Sequence, residues 1–252
     1  MQGDCLERMK EIGGNSVDLV LCDPPYQTTS IVWDKMLPFD KLWQQYKRIL
    51  KPTGTVLLFG VGIFTAKVIL SNEQWYKQTL IWNKNKCGSP GLAKIRPMQV
   101  TEDIVVFSPK RTVYNPQMEV GVPYYRKSKK EGGYTSRCNT HGYGLKPVKE
   151  ISNNGTRYPK NIINIPVDYS AQQRIHPTQK PVALMEYLIR TYSNEGATVL
   201  DNCFGSGPTG KACKKTNRNF IGIELPESEN GYFELGSNEI ICYRPINLVE
   251  NN

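Results

Sequence analysis

Apolar and polar positions along this chain fall into two periods, one suited to strands and one to helices. Val17-Asp18-Leu19-Val20-Leu21-Cys22 is a short apolar run that reads as a buried strand, as does Thr55-Val56-Leu57-Leu58-Phe59. Gln78-Thr79-Leu80-Ile81-Trp82 and Asp103-Ile104-Val105-Val106-Phe107 give two further strands. Between them lie helical stretches over about 5–12, 41–51 and 62–71. The second is capped by Asp40 and turns Leu42, Tyr46, Ile49 and Leu50 to one face. From about 110 to 165 no apolar period persists, and Gly, Asn, Ser, Lys and Tyr dominate. The alternation resumes with a helix over 182–193, a strand at Thr198-Val199-Leu200-Asp201 and another at 219–224. Beyond Glu224, Tyr232-Phe233 suggests a last helix and Glu239-Ile240-Ile241-Cys242 an edge strand. Strands alternating with helices predict an α/β protein whose sheet is mostly parallel, with helices on both faces. The expected organisation is a first half over 1–109, a small irregular insert over 110–165 and a second half over 166–252.

Two of the strands end in unusual turns. Val17–Cys22 runs into Asp23-Pro24-Pro25-Tyr26. Neither proline has an N–H and both have φ fixed, so the ladder stops and a stiff turn holds an acid beside an aromatic ring. Acceptors next to a ring suit a flat base that carries an amino group. The strand ending at Asp201 runs into Asn202-Cys203-Phe204-Gly205-Ser206-Gly207-Pro208, a glycine-rich turn from which a helix opens with Pro208 in its first turn. The next strand ends in Glu224. Strand, glycine turn, helix, strand and terminal acid form a nucleotide-binding βαβ unit. Ligands of such sheets bind beyond the carboxyl ends of the strands, so Asp23 and Asp201, each ending a strand, are expected in one cleft.

Charge adds a partner. The chain of 252 residues carries a formal +9, and residues 110–160 hold eleven Lys or Arg against three acids, nearly all of that excess. Six tyrosines are interleaved there. A basic segment with aromatics attracts a phosphate backbone and exposed bases, with Arg126, Lys127, Lys129, Lys130 and Arg137 as contacts. Seven cysteines without a C-x-x-C pair argue against a zinc site or a disulfide framework, so no metal is expected and a reducing cytoplasm is the simplest compartment. The absence of a long apolar run speaks against a membrane span.

With these residues in view, the chain resembles the amino-methylating DNA methyltransferases. Asp23-Pro24-Pro25-Tyr26 looks like their catalytic motif, Cys203-Phe204-Gly205-Ser206-Gly207 like their cofactor loop, and His176-Pro177-Thr178-Gln179-Lys180-Pro181 like a third block. The order, catalytic half before cofactor half, is similar to the beta arrangement. Cys203 stands where an aromatic is usual, and Pro208 where a threonine or serine is usual. The resemblance implies a Rossmann-like methyltransferase fold, S-adenosylmethionine as cofactor and double-stranded DNA as partner, and it admits a homodimer. It implies that Gly205, Ser206, Gly207 and Cys203 approach the cofactor, that Glu224 holds its ribose and that Asp4, with Cys5, meets its adenine. Lys180 with Thr178 is then expected at the methionine carboxylate and Asp201 at the ammonium group. Asp23 and the Pro24 carbonyl would accept the two N–H groups of the target amine, Pro25 would stiffen the turn, and Tyr26 would stack on a base flipped from the duplex. Trp82 and Lys84 are expected to form another wall of that pocket.

The aspartate that opens the motif leans toward adenine N6 over cytosine N4. RNA or protein-amide methylation, a DNA-binding module without catalysis and a nicotinamide dehydrogenase are the competing classes. No nuclease motif is evident, so any paired restriction activity would reside elsewhere; the host would be a bacterial or phage-infected cell.

Overall fold

A computed structural model describes residues 1–27, 36–87, 90–127, 150–167, 179–226 and 237. After a short helix α1 (Cys5–Arg8) and a 3-10 turn come β1 (Val17–Cys22), α2 (Phe39–Ile49), β2 (Leu50–Gly60), α3 (Ile63–Leu70), β3 (Tyr76–Asn83) and β4 (Thr101–Phe107). Four short strands follow, β5 (Glu119–Val120), β6 (Tyr124–Lys127), β7 (Glu150–Asn153) and β8 (Thr156–Arg157). The chain then forms β9 (Ile162–Asn164), α4 (Val182–Tyr192), β10 (Thr198–Asp201), α5 (Pro208–Lys215) and β11 (Asn219–Gly222).

Seven strands make one sheet in the order β11-β10-β1-β2-β4-β3-β9. All neighbours are parallel except at β4, which runs against both β2 and β3. The sheet is therefore mostly parallel, as the alternation predicts. The reversed strand was not foreseen, nor was β9, which lies inside the expected irregular insert yet pairs with β3.

Apart from Val17, where the register of β1 with β2 shifts, the period of two sorts each strand between two cores. Val17, Val20, Cys22, Val56, Leu58, Val105 and Phe107 face α2 and α3, packing on Leu42, Trp43, Tyr46, Ile49, Phe64 and Val68. Leu19, Leu21, Leu57, Phe59, Ile104, Val106 and Val199 face α4 and α5, packing on Leu184, Met185, Leu188, Ile189, Ala212 and Cys213. Helices thus cover both faces, and the apolar runs of β1 and β2 follow from burial on both sides. Helix α2 begins at Phe39 with Pro38 as its cap residue, so Asp40 lies in the first turn and does not cap it. Its charge still favours the helix N-terminus.

A separate unit, Pro116–Lys160, carries the two small antiparallel pairs β5-β8 and β6-β7. The Asn153 side chain links β7 to β8, accepting from Gly155 N–H at 2.9 Å and donating to the Thr156 carbonyl at 2.8 Å. The Arg157 guanidinium lies 4.8 Å from the Tyr124 ring centroid, while Tyr125 and Tyr158 are exposed. Among the described residues, no helix is long and apolar enough to cross a membrane. The expected tail elements at Tyr232-Phe233 and Glu239–Cys242 lie outside the described residues.

The amino ends of the parallel strands are tied by Asp18. Its carboxylate takes Lys51 Nζ at 2.9 and 2.8 Å and the Thr198 N–H at 2.9 Å, joining β1, β2 and β10. Replacing Asp18 with alanine leaves the Thr198 amide without its acceptor, and urea denaturation should read a loss of about 1–3 kcal/mol.

Candidate functional site

Asp23 follows the last residue of β1, and the two prolines turn the chain so that the Tyr26 hydroxyl donates to Asp23 Oδ1 at 2.5 Å. Burial and the Asp23 carboxylate push the Tyr26 phenol well above its ordinary range, so it remains a donor. Its ring packs against Phe64, with centroids 4.8 Å apart. The other carboxylate oxygen, Oδ2, is 2.6 Å from Lys180 Nζ. Lys180 enters from the residue before Pro181, the cap of α4, and is buried against the Phe59 ring at 5.1 Å.

On the neighbouring strand, β10 ends at Asp201 and the turn continues to Gly207, a left-handed residue at φ 78° that caps α5, with Pro208 in the first helical position. Gly205 is left-handed as well, at φ 51°, and no atom lies within 4 Å of where a Cβ would stand. A ligand can therefore approach the main chain here without meeting a side chain. The Gly205 N–H donates to Glu224 Oε2 at 2.7 Å, and Leu225 N–H donates to Oε1 at 3.0 Å. The turn is anchored from the opposite core by Tyr46 of α2, whose hydroxyl donates to Asn202 Oδ1 at 2.6 Å.

Register brings the two turns together. Leu19 lies opposite Val199 and Val20 opposite Leu200 in the parallel pair of β1 and β10. The same offset carries Asp23 to the level of Cys203, on strands about 4.8 Å apart. Burial pushes the Cys22 thiol up to about 11, with Cys203 and Asp201 among its neighbours. A cavity of about 240 Å³, lined by Asp18, Lys51, Tyr192 and Glu195, opens at the other end of these strands and takes no part in the site.

Several expected residues land where their chemistry differs from the expectation. Asp201 is buried, with Oδ2 accepting from Thr209 Oγ1 at 2.6 Å and Oδ1 from Cys203 N–H at 3.1 Å. Both oxygens hold the turn, and the carboxyl is covered at 4% exposure. Thr209, one place after the proline that departs from the family pattern, supplies that hydroxyl. Asp4 caps α1 through Oδ1, which accepts from Leu6 and Glu7 N–H. It adjoins Glu224 because Gly3 N–H donates to the Glu224 carbonyl at 2.8 Å. Cys5 and Ser206 are buried and Cys203 is half-buried, its sulfur accepting from Asn202 Nδ2 at 3.6 Å.

Lys180 meets the carboxylate of Asp23 and not the glycine turn, so it stands beside Asp23 in place of the expected position at a methionine carboxylate. Trp82 is 1% exposed and its indole N–H donates to the Ile165 carbonyl at 2.7 Å. It is a core residue of β3, not a pocket wall. Lys84 pairs with Glu102 at 2.9 Å. Arg126 and Lys127 fall on β6 of the separate unit, whereas Thr178, Lys129, Lys130 and Arg137 lie outside the described residues. Sequence reasoning missed Glu102, Thr209 and Asn202. The signal for Glu102 was an acid at the edge of an apolar strand, which gains meaning only once that strand is known to be reversed.

The family model described as DNA methylase matches residues 17–234. The type II methyltransferase M.HpaI of Haemophilus parainfluenzae is 31% identical over 240 residues, covering 88% of this chain and 68% of that protein. Among solved structures, the M1.HpyAVI-SAM complex superposes with a TM-score of 0.64 at 24% identity, covering 96% of this chain and 98% of that one. The PvuII DNA methyltransferase (cytosine-N4-specific) gives 0.63 at 18% identity, covering 98% and 86% respectively. At these identities the two structures establish a shared fold.

Burial raises the Asp201 carboxyl to about 7, the Thr209 and Cys203 hydrogen bonds only partly opposing it. The folded protein therefore keeps a proton that the unfolded chain has released above its ordinary value of 3.8. The stability this group contributes is full at low pH and is lost as pH rises through about 7. Asp201→Asn removes that loss, so its stability relative to the parent should rise by roughly 2–3 kcal/mol between pH 5 and pH 8, read by urea denaturation at both values.

Proposed function

The chain belongs to the DNA methylase family, and from that premise we propose that it methylates the exocyclic N6 amine of adenine in double-stranded DNA, using S-adenosylmethionine. The observation that supports this reading best is the placement of the Asp23 carboxylate at the end of β1, level with the glycine turn at the end of β10. The residues present fit the cofactor. Gly205 offers open main chain, Glu224 offers acceptors for ribose hydroxyls at the turn, and Gly3, hydrogen-bonded to Glu224, leads directly into Asp4 and Cys5. When bound, S-adenosylmethionine supplies an electrophilic methyl group.

An exocyclic amine is a weak nucleophile because its lone pair is delocalised into the ring. A carboxylate offers about four acceptor sites. Tyr26 and Lys180 each occupy one on Asp23, so acceptor capacity remains for an N–H of the amine. The Pro24 carbonyl takes the second N–H. Together they draw the nitrogen toward tetrahedral geometry and free its lone pair. As nitrogen gains positive charge, both acceptors bind more tightly than in the ground state, which is the source of acceleration. Tyr26, tethered at its hydroxyl, presents its ring to an extruded base, and such stacking is worth roughly 1–3 kcal/mol. The unit Pro116–Lys160, with exposed Tyr125 and Tyr158 and its basic composition, supports DNA contact and target recognition. The reaction belongs in the cytoplasm of a bacterial or phage-infected cell, where the DNA is.

Asp23→Ala should lower methyl transfer to duplex DNA by about 10³-fold or more while S-adenosylmethionine still binds in a calorimetric titration. Full activity in that variant ends the reading. Digestion of the methylated DNA to nucleosides should yield N6-methyladenine; N4-methylcytosine in its place would move the target to cytosine.

A further inference from the structure

Glu102 has no part in the mechanism above, yet it sits one side chain away from Asp23. It lies at the start of β4, and because β4 is reversed, its first residues reach the edge where the parallel strands finish. Lys84, just past the end of β3, donates to Glu102 Oε1 at 2.9 Å. Lys180 Nζ stands 3.1 Å from Glu102 Oε2 and 2.6 Å from Asp23 Oδ2. Tyr26 holds the remaining oxygen of Asp23. The chain Tyr26, Asp23, Lys180, Glu102, Lys84 thus alternates in charge from the reacting acid outward.

The charge of Lys180 presents a difficulty for the reaction. A buried ammonium paired to Asp23 alone would engage that carboxylate fully and would oppose the positive charge that develops on the target nitrogen. A second carboxylate on the far side of the ammonium relieves both effects. We propose that Glu102 is a positioning residue for methyl transfer: acting through Lys180, it divides the ammonium between two carboxylates and leaves Asp23 able to accept the amine N–H. The proposal rests on the reading of Asp23 as that acceptor. Lys84 fixes Glu102 from its other side.

The ionisation of the pair agrees. Burial pushes Lys180 down, but the carboxylates of Asp23 and Glu102 outweigh it and hold the ammonium above its ordinary value. Burial likewise pushes Glu102 up, and Lys180 and Lys84 together outweigh it and hold the carboxyl below its ordinary value. The titratable groups that face Lys180 among the described residues are Asp23, Tyr26 and Glu102, with Lys84 behind Glu102.

The test is single-turnover methylation of duplex DNA by the full chain from about pH 6 to 9.5, with S-adenosylmethionine affinity measured alongside. Glu102→Gln keeps the shape and removes the charge. It should leave donor affinity within about twofold, slow the chemical step about tenfold, and introduce an ionisation in the rate profile that the parent lacks in this range, because Lys180 has lost one of the carboxylates that retain its proton. In a Lys180→Met background the same change should alter the rate less than about twofold, since nothing remains for Glu102 to act through. Glu102→Asp, which restores the charge, should remove the new ionisation, and it carries the test alone if Glu102→Gln does not fold: its profile should then lack that ionisation and its rate should fall less than about tenfold. A Glu102→Gln rate within about twofold of the parent overturns the proposal. So does an equal loss in the Lys180→Met background, or a loss with an unchanged profile. An inactive Asp23→Ala beside an unaffected Glu102→Gln defeats the network alone, whereas an active Asp23→Ala defeats the underlying reading.

Discussion

The site depends on one constraint: β1 and β10 lie side by side and run the same way. Leu19 faces Val199 across the ladder, so residues far apart in sequence arrive at one edge in fixed register. A one-residue slip would turn the apolar side chains of a strand to the opposite face, and here both faces are buried. Val20 and Cys22 belong to one core and Leu19 and Leu21 to the other, so the packing of both layers pins where Asp23 emerges. The proline pair and the glycine turn then act on positions already set. Each turn is further tied from outside its own strand, Asp23 by Lys180 ahead of α4 and Asn202 by Tyr46 of α2.

Placing charge in such an edge carries a cost. Lys180 is removed from water, and the desolvation of a lone ammonium amounts to several kcal/mol. The structure offsets this with two carboxylates and two ring faces, those of Phe59 at 5.1 Å and Tyr26 at 5.9 Å. Buried ion pairs of this kind contribute little to stability compared with apolar packing. Their value lies in fixing the direction of one carboxylate, which is what the role proposed for Asp23 requires. The reversed β4 is part of the same solution, since a parallel strand at that place would bring its last residue, and not Glu102, to the edge where Asp23 stands.

How much of this was legible in the sequence follows from which interactions are local. The bounds of β1 and β10 were read to the residue because their apolar runs end abruptly in Asp-Pro-Pro and Asp-Asn-Cys. The glycine turn was legible because left-handed residues before a proline-initiated helix leave a chemical trace. Direction and partner were not. Nothing within Asp103–Phe107 says that the strand is reversed, so Glu102 carried no meaning. The partner of Lys180 was taken from the family resemblance, whereas its actual partners come from the turn after β1 and from β4. Trp82 looked like a pocket wall because an aromatic beside a lysine is ambiguous until burial is known. Short strand β9 escaped because three residues in polar surroundings leave no period to detect.

The two strand-ending aspartates show why position alone does not assign chemistry. Asp23 and Asp201 end adjacent parallel strands, and each is followed by a tight turn. Asp201 is closed in by Thr209 at the start of α5 and by the Cys203 N–H of its own turn, no cation is paired with it among the described residues, and burial raises it to about 7. A carboxyl in that state is a turn-holding acceptor with little charge to offer. Asp23 has an ammonium at one oxygen and a phenol at the other, both from side chains that leave acceptor sites open. The difference lies in the donors. Asp201 is held by neutral donors, a hydroxyl and a main-chain N–H, and is covered, whereas Lys180, brought from ahead of α4, sets an ammonium against Asp23. An acid at the end of a strand in an α/β sheet is therefore better judged by whether a cation is brought to it than by the motif in which it occurs.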